Sequence, residues 1–309
     1  PYVAASIRSI VRSHKSVWSF GVNSTMRNYQ AFQQASKDTV VHIGPSHGWV
    51  PIQLGELWSY RDLISLLAWR DLKASYAQTA LGVAWVVIKP ALLMIIFTIV
   101  FGWLVKIPSD GVPYPLFMFS ALLPWQYFSR ALSGASTSLV ANQHLITKVF
   151  FPRLVIPLSA MVGPLFEFGI TAFLLLLLLG FYQVVPTRGM WLLPVFLLMG
   201  MCTAFGAGIW LSAMSVRFRD IAHAHPFITQ IWLFATPVLY PSSLVPESWR
   251  WLYWMNPMAG VIEGFRWALL GAGTVSAPMV ASSVAVTLAM LVSGLYVFRR
   301  MERTFADRV

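Results

Sequence analysis

The sequence has few charged residues and a single cysteine. Of its 309 residues, 11% are charged and 57% are hydrophobic, and the mean hydropathy is +0.66. Soluble domains carry about 25% charged residues, so this composition excludes an ordinary soluble protein and indicates that the lipid bilayer is the solvent. A disulfide framework within the chain is also excluded. Cys202 lies in an apolar run, and we interpret it as a small core residue.

The sequence also lacks familiar motifs of nucleotide hydrolysis and of metal binding. It contains no Gly-rich loop ending in Gly-Lys-Ser/Thr, no His-Glu-x-x-His and no pair of cysteines. Its eleven acidic residues are scattered along the chain, without the paired carboxylates that hydrolysis or glycosyl transfer would use. A membrane enzyme is therefore disfavoured, and we expect a chain without its own ATPase site, metal or cofactor.

Basic residues outnumber acidic residues by 22 to 11, which gives a net charge of +11. A nucleic-acid-binding protein would gather such charge on one soluble face. Here the Lys and Arg residues are spread over short segments between apolar stretches, which is typical of the excess of basic residues in the cytoplasmic segments of membrane proteins. We expect no nucleic-acid partner.

Apolar stretches long enough to cross a bilayer recur along the chain. A helical crossing needs about 20 residues, and we predict six crossings, the fifth of them short and interrupted by Pro237: 81–105, 114–140, 154–184, 191–216, 226–240 and 278–298. An even number places both termini in the cytoplasm with most of the basic residues. The outer loops then hold four basic residues: Lys106, Arg188, Arg250 and Arg266.

The regions outside these crossings complete the predicted organisation. Residues 1–50 are expected to form a polar, basic cytoplasmic extension. Residues 51–80 are expected to form an amphipathic helix at the membrane interface, the alternative being a helix packed on another subunit. The permease body covers 81–300, and 301–309 form a cytoplasmic tail. The fold class is thus an all-α membrane protein with six transmembrane helices and an N-terminal interfacial helix.

The segment between the fifth and sixth crossings is rich in aromatic residues and interrupted by prolines. We predict a pair of short re-entrant or interfacial helices, with Asn256 as N-cap and Pro257 as first helical residue of the second. Backbone of this kind is tolerated where it is buried in protein or faces water, so we interpret the segment as an external gate. Its candidate residues are Trp249, Trp251, Tyr253, Trp254, Asn256 and Pro257.

Three ionisable residues fall inside the predicted crossings. Charges at such depth are costly and usually pair or line a path. Arg130 and Glu167 lie at similar predicted depths in neighbouring crossings, and we predict that they pair; the alternative is that each faces an aqueous channel. Lys89 lies close enough to the cytoplasmic end to reach the interface by snorkelling; the alternative is a role in contacting substrate.

Eight segments together resemble the ABC-2 type permeases that export O-antigen, capsule and teichoic acid, and the O-antigen group most of all. The match runs from about residue 56 to residue 300, and its segments begin with Tyr60-Arg61-Asp62-Leu63-Ile64, Arg70-Asp71-Leu72-Lys73, Leu81-Gly82-Val83-Ala84-Trp85 and Val112-Pro113-Tyr114-Pro115-Leu116-Phe117. They continue with Leu145-Ile146-Thr147-Lys148-Val149-Phe150-Phe151-Pro152-Arg153, Val216-Arg217-Phe218-Arg219-Asp220, Thr236-Pro237-Val238-Leu239-Tyr240-Pro241 and Asn256-Pro257-Met258. Two departures are Ala74-Ser75 with Ala77, where the family commonly has more basic residues, and Glu167, where it frequently has Asp.

The resemblance implies a homodimer in the bacterial inner membrane, bound to two separate ATPase subunits that carry ATP and Mg²⁺. The transported substrate would be an undecaprenyl-linked polysaccharide; an ABC-2 exporter of teichoic acid, capsule, lipid or drug is the alternative. The cytoplasmic connections would contact the ATPase, because their apolar residues need cover. The candidate coupling residues are His144, Leu145, Ile146, Thr147, Lys148, Phe150, Phe151, Arg153, Arg217, Arg219 and Asp220.

A transported sugar polymer would slide along aromatic rings, because the CH faces of sugars stack on them. The candidate channel-lining rings are Trp125, Tyr127, Phe128, Phe166, Phe168 and Phe173. The alternative for each ring is ordinary packing in the core or against lipid. A lipid or drug exporter would have a lateral apolar pocket instead of a continuous path, and a structural docking subunit would have no such path.

Overall fold

The computed structural model describes residues 54–77, 81–149, 151–218, 220–273, 275–302 and 305. Every regular element in these ranges is a helix, which confirms the all-α fold class. The predicted extension 1–50 lies outside the described residues, so its cytoplasmic placement stays a prediction.

The helices follow one another with short connections. The α-helices are α1 (Leu54–Ser59), α2 (Arg61–Tyr76), α3 (Ala84–Phe97), α4 (Tyr114–Ala141), α5 (Gln143–Lys148), α6 (Val155–Ser159), α7 (Val162–Phe181), α8 (Leu193–Arg217), α9 (Ile221–Phe234), α10 (Arg250–Trp254), α11 (Pro257–Leu270) and α12 (Ala277–Glu302). A π-helical stretch, Thr98–Leu104, continues α3. Three short 3₁₀ helices are Arg188–Leu192, Ser242–Leu244 and Glu247–Trp249.

Four helices in the described ranges are long and apolar enough to cross a membrane, not six: Ala84–Leu104, Val155–Phe181, Arg188–Arg217 and Ala277–Glu302. They coincide with four of the predicted crossings. The predicted crossing 114–140 corresponds to α4, which has 28 residues but a second half rich in Ser, Gly and Ala. The predicted crossing 226–240 corresponds to α9, whose 14 residues fall short of the roughly 20 that a crossing needs.

The lower hydropathy of α4 follows from its position at the centre of the fold. Most of its side chains are buried, and it packs against α3, α7, α8 and α11. Protein neighbours cover its small polar residues, whose hydroxyls bond to backbone: Ser120 and Ser138, for example, donate to carbonyl oxygens one turn earlier, at 2.9 and 2.7 Å. A helix covered in this way does not need the apolar surface of a lipid-facing helix.

Small residues and hydroxyls bring α4, α8 and α12 close together. In α8, Gly208 faces Ala135 of α4, and Gly206 lies against the backbone of Leu291 in α12. The hydroxyls of Thr203 and Thr287 also lie 3.0 Å apart between α8 and α12. Close backbone approach at small residues is the usual way in which membrane helices associate.

Three long helices run in the same direction. In the N-terminal halves of α4 and α8, Phe117 and Phe196 both contact α11. Near the C-terminal ends of the two helices, Ser215 donates to the carbonyl oxygen of Ser136 at 3.0 Å. The C-terminal end of α12 reaches the segment after α4, where Arg153 donates to the carbonyl oxygen of Glu302. We call this end of the fold, with residues 142–149, 151–154, 218 and 220, the proximal end.

The helices α3, α7 and α9 run the opposite way along α4. The π-helical end of α3 places Gly102 against Tyr114 at the start of α4. In α7, Glu167 pairs with Arg130, and Phe168 packs on a ring that lies nearer the start of α4. In α9, His225 Nε2 lies 3.0 Å from the Ser133 hydroxyl, and Trp232 packs towards the start of α4. Six helices therefore alternate in direction, and segments 105–113, 182–192 and 236–256 lie at the opposite, distal end.

The predicted interfacial segment forms α1 and α2. The helix α2 packs on α6 and α7, with Leu67 and Ala68 buried, whereas Trp58 and Trp69 are 70% and 64% exposed. Exposed tryptophans are typical of a helix at the headgroup level. The interfacial role of this segment stays a prediction.

Candidate functional site

A polar cluster joins α2, α4 and α7. Arg130 Nη1 forms an ion pair with Glu167 Oε2, and the Tyr76 hydroxyl donates to Glu167 Oε1. The structure thus confirms the predicted pairing of Arg130 with Glu167. Tyr76 was missed because it lies before the first crossing, in a segment interpreted only as a surface helix. Burial, followed by the Glu167 carboxylate, raises the pKa of Tyr76 to about 12, so this hydroxyl remains a donor at neutral pH.

The ion pair is unevenly exposed. The side chain of Arg130 is 41% exposed, whereas that of Glu167 is 13% exposed. The guanidinium therefore reaches open space while the carboxylate is enclosed between two donors. Lys89, the third predicted intramembrane residue, is exposed, and its ammonium lies 5.8 Å from the centre of the Trp85 ring.

The open space beside Arg130 is a polar cleft between α2, α4, α6 and α7. Its volume is ≈ 610 Å³. Its lining side chains are mostly charged, hydroxyl or small: Ala68, Arg70, Asp71, Leu72, Ser75, Arg130, Ser133, Gly134, Thr137, Ser138, Ala141, Asn142, Ser159, Ala160, Gly163, Pro164 and Glu167. At its proximal edge, Arg70 donates to Asn142 Oδ1 at 2.7 Å, which joins α2 to the end of α4.

The predicted coupling segment begins with α5, and only part of it faces outward. His144, Thr147, Lys148 and Val149 are exposed, and Val149 keeps 54% of its surface accessible. Leu145 is half-buried. The expectation that the apolar side chain of Ile146 is exposed is wrong, because Ile146 is 7% exposed; it packs inward from the short helix.

The second half of the segment is tied to the end of α12. Phe151 is 8% exposed. Arg153 donates to the carbonyl oxygen of Glu302, and its guanidinium lies 5.9 Å from the centre of the Phe305 ring. Because the last carbonyls of a helix lack partners within it, Arg153 caps α12. Arg153 and Phe151 thus make contacts within the chain, and their role in ATPase coupling stays a prediction.

The other predicted coupling connection, 217–220, lies at the same end. Arg217, Phe218 and Asp220 are exposed, and the Arg217 guanidinium lies 5.2 Å from the centre of the Phe218 ring. The remaining candidates Phe150 and Arg219 lie outside the described residues. The proximal end thus presents two neighbouring connections that are basic and partly apolar.

Three of the six predicted channel-lining rings are core residues. Trp125, Tyr127 and Phe128 are 5%, 2% and 0% exposed, because they project from the central helix α4. Tyr127 packs edge-on against Phe168, which is half-buried. For these buried rings, the alternative of core packing is the correct one.

Two of the predicted channel-lining rings face outward. Phe166 and Phe173, on α7, are 50% and 62% exposed.

The predicted N-cap at Asn256 is confirmed and forms the centre of a distal hydrogen-bond network. Its Oδ1 accepts from Met258 N at 3.1 Å and from Trp232 Nε1 at 2.9 Å. Its Nδ2 donates to Ala235 O and to the Thr236 hydroxyl, at 3.2 and 2.9 Å. Asn256 therefore fixes the start of α11 to the end of α9.

The other predicted gate residues divide into exposed and buried groups. Trp249 and Trp251 are 60% and 62% exposed, and Trp254 is partly exposed. Tyr253 and Pro257 are buried. The helices α10 and α11 occupy the interval predicted for short helices, and α11 is covered by protein over most of its length.

Sequence reasoning placed Arg266 in an outer loop, and the structure corrects this. Arg266 is 0% exposed, on α11, and its guanidinium lies 3.7 Å from the centre of the Phe117 ring. It donates to the carbonyl oxygens of Val238, Tyr240 and Phe117 and to Glu263 Oε1, at 2.8, 3.3, 3.4 and 3.3 Å respectively. The available signal was the Glu-x-x-Arg spacing within an otherwise apolar stretch, which places both charges on one helix face.

Known proteins resemble this chain over most of its length. A family model described as ABC-2 type transporter matches residues 62–270. The O-antigen export system permease protein RfbA of Myxococcus xanthus is 33% identical over 82% of this chain and 98% of its own length. The protein of the same name from Klebsiella pneumoniae is 28% identical over 80% of this chain and 94% of its own. The polysialic acid transport protein KpsM of Escherichia coli is 24% identical over 77% and 93%.

Proposed function

The chain belongs to the ABC-2 type transporter family, and from this premise we propose that it is the membrane subunit of an exporter of lipid-linked polysaccharide. The observation that carries the proposal is the similarity to an O-antigen export permease over 98% of that protein's length. A similarity of this extent includes both the helical body and the connections at each end, so it supports a common transport role and not only a shared helix pattern.

The proposed topology has six crossings with the proximal end in the cytoplasm of a bacterial inner membrane. The alternating direction of α3, α4, α7, α8, α9 and α12 supports six crossings, although α4 is covered by protein and α9 is short. The proximal end carries basic residues at three places, Lys148, Arg217 and the pair Arg299 and Arg300, and such residues favour the cytoplasmic side. Both termini then lie in the cytoplasm.

The proposed partners are a second copy of this chain and two ATPase subunits, which bind ATP and Mg²⁺. The sequence has no phosphate-binding loop of its own, so the energy for transport comes from a partner. The exposed face of 144–149 together with Arg217, Phe218 and Asp220 is the proposed docking surface. Its basic residues and the exposed Val149 and Phe218 offer both charge and apolar area to a partner.

The substrate path is proposed to involve the exposed aromatic rings of α7. Phe166 and Phe173 are exposed on the surface of the protomer, where a second copy would enclose a path between two subunits. Aromatic faces suit a polymer that must slide, because contacts with the CH faces of sugars are numerous and individually weak.

Deletion of the gene tests the proposed function. We expect the surface polysaccharide to disappear from gels and mass spectra while its lipid-linked form accumulates inside the cell, and the wild-type gene to restore it. Unchanged surface polysaccharide in the deletion strain would refute the proposal. A second candidate substrate is capsule, which the similarity to a polysialic acid transport protein favours; loss of capsule with intact lipopolysaccharide would select it.

A further inference from the structure

The polar cleft is bounded by two contacts of α2. At one edge Arg70 donates to Asn142 at 2.7 Å, and at the other the Tyr76 hydroxyl donates to Glu167. These residues are six positions apart, which is about 9 Å along a helix. The helix α2 is therefore fixed at both ends of the cleft, and the space between has a defined wall.

The charges that line the cleft cancel. Asp71 Oδ1 accepts from Nε and Nη2 of Arg70 at 2.8 and 2.7 Å, and Glu167 pairs with Arg130. Two guanidinium groups are thus matched by two carboxylates. The lining therefore carries no net charge, and the cleft has little electrostatic preference for an anion.

The remaining polar groups of the cleft can form hydrogen bonds with the hydroxyl groups of a ligand. Thr137 and Ser138 donate their own protons to backbone carbonyls, at 3.1 and 2.7 Å, but their oxygens keep lone pairs that can accept. The side chain of Arg130 is 41% exposed, and its guanidinium offers further N–H donors. Donors and acceptors therefore lie side by side, as a ligand with many hydroxyl groups requires.

We propose that this cleft binds a neutral sugar unit of the transported glycan, through the guanidinium of Arg130 and the hydroxyl oxygens of α4. The proposal rests on the proposed function and assigns a substrate class to one site. The volume of ≈ 610 Å³ lies within the range of about 300–1,000 Å³ that is usual for small-ligand pockets. The cleft lies at the proximal end, where a polymer made in the cytoplasm arrives.

Two glycines of α7 provide a steric test. Gly163 lines the cleft, and a Cβ added there would meet no atom within 4 Å. Gly169 is on the same helix, is exposed, also has no atom within 4 Å of an added Cβ, and does not line the cleft. Gly163→Leu should therefore fill part of the cleft, while Gly169→Leu makes the same chemical change outside it.

The binding measurement uses the full permease with its ATPase in nanodiscs. The probes are the strain's own glycan, freed of lipid by mild acid, and inorganic pyrophosphate. Saturation-transfer NMR should show glycan binding to the wild type and to Gly169→Leu, and binding weakened roughly tenfold in Gly163→Leu, equal to about 1.4 kcal/mol. Pyrophosphate should not displace the glycan. Equal glycan binding by both variants would overturn the proposal, and so would displacement by pyrophosphate.

A second variant tests glycan binding in the cleft if Gly163→Leu is poorly folded. Thr137→Val removes one hydroxyl from the opposite wall at nearly constant shape, and we expect glycan binding to fall roughly fivefold. Unchanged binding would count against the cleft.

Export in cells separates this inference from the proposed function. If the wild-type gene restores surface glycan but Gly163→Leu restores it equally well, the cleft proposal fails and the function stands. If the wild-type gene restores nothing, the proposed function fails.

Discussion

Removing Arg130 from its ion pair with Glu167 should lower the stability of the protein more than removing Glu167 does. Arg130→Met leaves a carboxylate that is 13% exposed with Tyr76 as its remaining donor in the cluster, and we expect a loss of about 2–3 kcal/mol. Glu167→Gln leaves a guanidinium that is 41% exposed and can turn to water, so we expect a loss of about 1 kcal/mol. The double variant should lose about 1–2 kcal/mol less than the sum.

The assay is thermal unfolding in nanodiscs, followed by tryptophan fluorescence and compared at one scan rate, because membrane proteins often unfold irreversibly. A matched control is the distal pair Arg250 and Glu247, which lie 3.1 Å apart with side chains 43% and 87% exposed. The same substitutions there should change stability by about 0.5 kcal/mol or less. Additive effects at Arg130 and Glu167, or a larger loss from Glu167→Gln than from Arg130→Met, would refute the reasoning.

Tyr76, which donates to Glu167, should make the stability of the protein depend on pH. Its pKa is raised from 10.0 to about 12, so the unfolded chain releases this proton before the folded protein does. The stabilising contribution is therefore complete below about pH 10 and is lost as pH rises towards 12. Tyr76→Phe should be less sensitive than the wild type in this interval, and equal sensitivity would show that Tyr76 is not the responsible group.

Three further predictions concern the two ends of the fold. Val149→Asp should abolish co-purification with the ATPase while leaving the melting temperature unchanged. The distal control Val185→Asp, at a residue that is 85% exposed, should leave both co-purification and the melting temperature unchanged. If the Val149→Asp variant still co-purifies with the ATPase, Val149 is not part of the docking surface. Asn256→Ala, which removes an N-cap and three further hydrogen bonds, should lower stability by about 2 kcal/mol or more in thermal unfolding, and a loss below about 0.5 kcal/mol would contradict its central role. Arg266→Met should cost at least about 3 kcal/mol, because it leaves Glu263 buried without its counter-charge, and wild-type yield and melting temperature would contradict this.

Hydropathy predicted the parts of the fold that face lipid. In the apolar stretches of Ala84–Leu104, Val155–Phe181, Arg188–Arg217 and Ala277–Glu302, no more than half of the residues are buried within the protein, so their apolar composition reflects surfaces that protein does not cover. The helix α4 was also located, but hydropathy did not show that protein surrounds it. This is why Trp125, Tyr127 and Phe128, which look suited to a path in the sequence, are core residues.

The rules for helix ends predicted contacts between residues close in sequence, but contacts between residues distant in sequence were harder to predict. Asn256 followed by Pro257 is a helix start by its own chemistry. The pairing of Arg130 with Glu167 followed from equal depths in adjacent helices. Tyr76 and the carbonyl partners of Arg266 depend on how separate segments pack, which residue spacing does not encode. The burial of Ile146 likewise depends on what lies beneath a short helix.

The contact of Arg153 with the end of α12 can form only late in the synthesis of the chain. Arg153 and the carbonyl of Glu302 are 149 positions apart, and Phe305, which lies beside the guanidinium, packs edge-on against Phe298. A ribosome therefore releases the segment 144–153 long before its anchor exists. Arg153 gains this contact only when the last helix is complete, so a chain truncated before that helix lacks the finished proximal face.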